Sequence, residues 1–179
     1  MVTSNAHKAE EVAAFFGGML DVRHVPLEIP ELRSEDVKEI ARAKAEYAYA
    51  HLHVPLIVDD TAFFIDALKG FPGPYAAYVL NSIGNQGILR LMDGIADRSA
   101  RFTTAIAYAD INGIEVFTGT IHGRIITGTR GTNGFGYDPI FETETGQTLA
   151  ELPIEQKSVI SHRARALAAF RECMSRKTD

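Results

Sequence analysis

Apolar residues in this chain switch repeatedly between the 3.6-residue period of a helix and the short continuous runs of buried strands. That alternation points to a mixed α/β fold. His7 to Phe16 reads as a helix, with Val12, Phe15 and Phe16 apolar and Gly17-Gly18 closing it. Leu20 to Val25 reads as a strand. Ser34 is placed to cap a helix running to about Leu52, with Glu35 and Asp36 in its first turn. Pro55 to Val58 is a short apolar strand that ends in two carboxylates, Asp59 and Asp60. Phe71-Pro72-Gly73-Pro74-Tyr75 is a rigid turn, followed by two short helices around 75–82 and 85–92. Arg101 to Ala109 and Ile114 to Thr127 read as strands joined at Asn112-Gly113. A glycine-rich loop spans Gly128 to Asp138, and an amphipathic helix runs from Ser161 to about Met174. Its apolar stripe is Ile160, Ala164, Leu167, Phe170 and Met174.

Length and charge narrow the function. With 179 residues the chain is expected to be a single unit, 1–179, or one unit of two lobes around a cleft. A single cysteine, Cys173, excludes an internal disulfide framework and fits a reducing cytoplasm. The first residues carry no apolar leader, and no apolar run approaches the roughly 20 residues of a membrane span. The net charge of −5 argues against non-specific nucleic-acid binding. The charge is uneven, because six basic residues from Lys157 onward face only Glu172 and Asp179. That basic end is either a solvated helix or a local site for a small polyanion such as a nucleotide.

Five constellations carry candidate chemistry. Thr3-Ser4-Asn5-Ala6-His7-Lys8 opens a helix, where unpaired amides and a lysine suit phosphate, though Ser4 or Asn5 serves equally as a plain cap. Asp59 and Asp60 point to opposite faces of their strand and so have different partners. One carboxylate, with water and substrate phosphates, is the usual arrangement for Mg²⁺. Glu31 offers a second carboxylate, or is a surface acid. Lys44 shares a helix face with Val37, Ala41 and Ala48, so it either snorkels, the simpler reading, or meets a buried anion. In Gly131 to Pro139, Phe135 and Tyr137 either stack on a planar base or pack inward. Ser161 caps the last helix and places His162 and Arg163 in its first turn, with Lys157 just before. No Walker loop, dinucleotide fingerprint or nucleophile elbow is present.

Taken in order, Thr3-Ser4-Asn5-x-x-Lys8, Pro30-Glu31, Lys44, Val58-Asp59-Asp60-Thr61, Gly70-Phe71-Pro72-Gly73-x-Tyr75, Arg130-Gly131-x-x-Gly134-Phe135-Gly136-Tyr137-Asp138-Pro139-x-Phe141, Lys157 and Ser161-His162-Arg163 resemble the inosine/xanthosine triphosphate pyrophosphatase family across nearly the whole chain. The resemblance implies an elongated mixed sheet flanked by helices, two lobes around a nucleotide cleft, and a homodimer. It implies Mg²⁺-dependent hydrolysis of non-standard purine nucleoside triphosphates (ITP, dITP, XTP) to monophosphate and pyrophosphate, with Mn²⁺ as a possible substitute. Carried over by position, Thr3, Ser4, Asn5, Ala6, His7 and Lys8 cradle phosphates. Glu31 and Asp60 hold the metal, and Asp60 is the proton acceptor. Lys44, Thr61 and Lys157 contact substrate, while Phe135, Gly136, Tyr137, Asp138, His162 and Arg163 recognise the base. Two departures stand out: Ser4 replaces the usual Gly, and only Met1 and Val2 represent the first strand, which is either truncated or begins upstream. A Maf-like pyrophosphatase of another base preference and a non-catalytic nucleotide-binding module are the alternatives.

Overall fold

Ten consecutive residues, Leu56–Ile65, form the central strand β1, and eight of them are buried. A strand can be buried on both faces only if helices cover both, and here they do. The computed structural model describes residues 1–19, 21–30 and 32–178. The element order is α1 (Ala6–Phe16), α2 (Val37–Leu52), β1, β2 (Pro72–Gly73), α3 (Ala76–Leu91), β3 (Ser99–Asp110), β4 (Gly113–Ile125), β5 (Phe141–Thr143), α4 (Ile154–Ile160) and α5 (His162–Thr178). The sheet runs β2-β1-β3-β4-β5 with antiparallel ladders throughout. Parallel bridges at Val2, to Val25 and to Val58, make it mixed.

Residue parity along β1 decides which helix each side chain meets. Leu56, Val58 and Ala62 pack with Ala105, Ala107 and Ala109 of β3 under the small residues Ala41, Ala45 and Ala48 of α2. Ile57 and Ile106 belong to the opposite face, with Val12 and Phe16 of α1 and Leu167 and Phe170 of α5. Beyond them, Phe63, Phe102, Tyr137 and Phe141 form an aromatic cluster with Ile88 of α3. The expected stripe on the last helix is the buried one, with Ala164, Leu167 and Phe170 nearly inaccessible.

Several boundaries differ from the sequence expectation. The strand predicted over Leu20–Val25 is only a bridge at Val25, and Leu20 lies outside the described residues. Asp36, not Ser34, caps α2, accepting the Lys38 N–H at 2.8 Å; Ser34 supports it through the Asp36 N–H and Glu39. The β3–β4 turn is Ile111-Asn112, one residue earlier than expected, because Gly113 already pairs with Asp110. Helix α4 has too few residues to show a period and was not expected. The two predicted short helices do occur, as halves of α3 broken at Gly84 (φ 64°, ψ −173°).

One glycine sets the distance between helix and sheet. A Cβ at Gly119 of β4 would lie 2.2 Å from the His162 carbonyl oxygen and 2.4 Å from the Ala166 nitrogen. The bare backbone there lets α5 lie directly on the strand.

Candidate functional site

The open edge of β1 creates the cleft. The Ile57 carbonyl accepts the Val2 N–H at 2.9 Å, and the Ile65 N–H reaches the Phe71 carbonyl at 3.3 Å. Odd-numbered residues between them therefore turn their backbone groups to this edge, where the chain start and the Phe71–Tyr75 turn diverge. The Thr61 N–H on that edge is met by the Asp60 carboxylate at 2.9 Å. The resulting cleft has a volume of about 1060 Å³, at the upper end of the range for small-molecule sites.

Asp59 and Asp60 lie mid-strand, not beyond the strand end as their position after Pro55–Val58 suggests. Two carboxylates are tolerated there because the helix over each face supplies a cation. Asp59 faces α1 and α5: Lys8 Nζ lies 2.7 Å from Oδ1, and Arg163 Nε donates to Oδ2 at 2.6 Å. Burial pushes the Asp59 carboxyl up, but the charges of Arg163 and Lys8 outweigh it and hold it well below the carboxylate range. Asp60 faces α2, where Lys44 Nζ donates to Oδ2 at 2.5 Å. Lys44 thus meets an anion rather than simply snorkelling.

The charge on Arg163 continues into a buried chain. Its Nη1 donates to Glu11 on α1. Glu11 pairs with Lys157 at 2.5 Å, and Lys157 donates to Asp138 at 2.5 Å. The sequence Lys8–Asp59–Arg163–Glu11–Lys157–Asp138 alternates sign without a gap. Asp59 and Glu11 raise the Arg163 pKa further in spite of burial. Burial prevails at Asp138, whose carboxyl is pushed up despite Lys157 and the Phe135 N–H. Glu11 was not anticipated, yet its signal resembles that of Lys44: a charged residue beside Val12 on the inward side of a helix.

The expected site residues divide in an informative way. Thr3, Ser4, Asn5, Lys8, Lys44, Asp60 and Thr61 line the cleft, as do Phe135, Gly136, Tyr137, Asp138, Lys157, His162 and Arg163. Asn5 caps α1 by accepting the His7 N–H at 3.0 Å, so it serves the helix as well. Ala6 and His7 are exposed and do not line the cleft; the His7 ring stacks on Phe135 with centroids 5.5 Å apart. The two aromatics of the loop part company. Tyr137 packs inward on Phe63, and its hydroxyl donates to the Ala76 carbonyl at 2.8 Å. Phe135 remains half-buried at the cleft, with Lys157 Nζ 4.9 Å from its ring centroid. Glu31 lies outside the described residues.

His162 is 4% exposed and stacks on Phe102, with centroids 4.8 Å apart. Burial, then the charges of Arg163 and Lys157, hold its pKa well below 6.5. This environment favours the neutral imidazole over the imidazolium. Ser161 accepts the Ala164 N–H at 3.1 Å and so caps the helix as expected.

The fold and cleft define a mixed α/β protein with cations at a helix start, a strand carboxylate beside them, and a buried imidazole–guanidinium pair next to an aromatic loop. The Ham1 family model matches residues 1–173. A dITP/XTP pyrophosphatase of Methanopyrus kandleri is 48% identical over 93% of this chain and 88% of its own length. One from Saccharolobus solfataricus is 43% identical over 100% of this chain and 94% of its own. The solved Staphylococcus aureus Ham1 protein superposes with a TM-score of 0.83 at 30% identity, covering 98% of each chain. This chain belongs to the Ham1 family, which displaces the Maf-like alternative.

Proposed function

We propose that this chain hydrolyses non-standard purine nucleoside triphosphates (ITP, dITP, XTP) to the monophosphate and pyrophosphate, clearing them from the nucleotide pool. The observation that carries the reading is the meeting, in one cleft, of Lys8 from α1, Lys44 from α2 and Asp60 with His162, Arg163 and Phe135. The names of the curated relatives support it. The reading treats residues 1–179 as a single two-lobed unit acting as a cytoplasmic homodimer.

Among the described residues no cluster of three metal-ligating side chains occurs. Asp60, a strand carboxylate on the cleft, nevertheless suits a hard cation that takes its remaining oxygens from phosphate and water. Asp60, with Glu31, would hold Mg²⁺, which when bound neutralises phosphate charge. The chain's own residues do the rest. Lys8 and the amides at the start of α1 orient the triphosphate. Water attacks the α-phosphorus, Asp60 takes its proton on a carboxylate oxygen, and pyrophosphate leaves with the bonding electron pair. Lys44, which donates to Asp60 Oδ2 at 2.5 Å, keeps that carboxylate aimed. Lys157 is spoken for by Glu11 and Asp138, so it belongs with the base-recognition end.

Base choice follows from hydrogen-bond polarity. Hypoxanthine and xanthine carry an acceptor oxygen at position 6, where adenine carries a donor amine. Donors fixed in a buried pocket reject the amine by leaving themselves unpaired. The test is a panel of nucleoside triphosphates with Mg²⁺, assayed for pyrophosphate and orthophosphate. Pyrophosphate from inosine and xanthosine triphosphates, with little from ATP, is expected. Thermal stabilisation by nucleotide without any product would identify a binding module instead.

A further inference from the structure

Base recognition at this cleft needs a donor, yet a neutral imidazole is a donor at only one nitrogen. Which nitrogen of His162 carries the proton is decided by its neighbours. Its Nδ1 lies 2.6 Å from Thr104 Oγ1. Thr104 is fully buried, and its hydroxyl is in turn 2.6 Å from Thr61 Oγ1. Thr61 Oγ1 receives Arg163 Nη2 at 3.3 Å. All four groups lie on the α5 face: Thr61 and Thr104 are cross-strand partners in the β1–β3 ladder, and His162 and Arg163 open the helix above them.

The direction of this chain follows from what each group can do. A guanidinium only donates, so the Thr61 oxygen accepts from Arg163. The Thr61 proton then has one acceptor among its described partners, Thr104 Oγ1. The Thr104 proton has one acceptor left, His162 Nδ1. In the reverse direction His162 donates through Thr104 to Thr61, and the Thr61 proton is left without an acceptor among the described residues. Thr61 is partly buried and lines the cleft, so in that direction its proton is given up to solvent, whereas the forward direction keeps every hydroxyl proton of the chain paired inside the fold.

We propose that the Thr61–Thr104 hydroxyl pair is a tautomer lock: driven by Arg163, it donates to His162 Nδ1 and so holds the histidine proton on Nε2, where it serves the cleft as the donor that selects a 6-oxo purine. Thr104 touches no substrate and is a positioning residue. No hydrogen bond engages Nε2 among the described residues, and His162 lines the cleft. With the proton on Nδ1 instead, Nε2 would be an acceptor and would favour the adenine amine. The inference rests on the reading of the cleft as a purine site.

The test uses the full chain with ¹⁵N-labelled histidine. A long-range ¹H–¹⁵N spectrum, with His162 assigned through His162→Gln, reports which nitrogen is protonated. The expected result is Nε2–H with a bare Nδ1. Thr104→Val keeps the shape and deletes the hydroxyl. It should redistribute the proton between the two nitrogens and lower the inosine triphosphate over ATP ratio of kcat/KM roughly tenfold. Thr104→Ser should restore both. A wild-type His162 protonated on Nδ1 overturns the proposal, whether or not the valine variant folds. So does a folded Thr104→Val protein with unchanged tautomer and ratio. Because the spectrum needs no turnover, a wrong tautomer with normal pyrophosphate release sinks this inference alone. Absence of pyrophosphate from every purine sinks the reading of the cleft beneath it.

Discussion

Two sets of charges along the cleft are handled in opposite ways. Lys8 and Lys44 keep 19% and 16% of their side chains accessible, each paired to a carboxylate on a different face of β1. Arg163, Glu11, Lys157 and Asp138 are almost wholly buried and satisfy one another. The first arrangement leaves cations able to change partners when a polyanion arrives. The second spends its charges internally and exposes neutral donors and a ring. Under the proposed function the difference teaches that phosphate binding gains from accessible charge, whereas base reading gains from rigidity, since discrimination depends on donors that cannot relax.

Three substitutions test that division, in descending size of effect. Asp60→Asn should cut pyrophosphate release by about 100-fold or more while leaving the melting temperature close to wild type. A large loss of stability with it would mean that Asp60 is structural, like its neighbour. Glu11→Ala removes a partner from both Arg163 and Lys157. Denaturant unfolding should show a loss of about 3 kcal/mol, the usual cost of orphaning buried charge. A change well under 1 kcal/mol would show that the internal network is dispensable.

The smallest effect concerns pH. The folded protein resists protonating His162, whereas the unfolded chain accepts a proton near pH 6.5. The unfolded state therefore binds more protons in acid, and stability falls as pH drops below that value, by at most about 1.4 kcal/mol per pH unit from this group. The window is opened by burial and by Arg163 and Lys157. His162→Gln should flatten the melting-temperature profile between pH 7 and 5. A variant as acid-sensitive as wild type would place the effect elsewhere.

Elements with local punctuation were legible in the sequence. Gly17 closes α1 in the left-handed region (φ 53°), and the break in α3 falls at Gly84. The long hairpin of β3 and β4 follows from its apolar pattern. The length of β1 was not legible, because Asp59 and Asp60 look like a strand end until Lys8, Arg163 and Lys44 are brought to them from 51, 104 and 16 residues away. Glu11 shows in the sequence only as a charge on the inward side of a helix; what it meets is not legible, because its partners Lys157 and Arg163 lie far along the chain. Parity did predict that the two aspartates would part company: Asp59 meets α1 and α5 on one face of the sheet, and Asp60 meets α2 on the other. Tyr137 and Phe135 were indistinguishable by sequence, since which ring packs inward depends on Phe63 and Ala76 being there to receive it.

Gly119 carries one last implication. Because α5 rests on bare backbone there, any side chain at that position has to displace the His162 carbonyl and the Ala166 nitrogen, at the start of the helix that carries His162 and Arg163. Under the proposed function, selectivity in this scaffold can thus be shifted from behind, by a residue outside the cleft lining. A search for variants with altered base preference has reason to begin on the back of the hairpin.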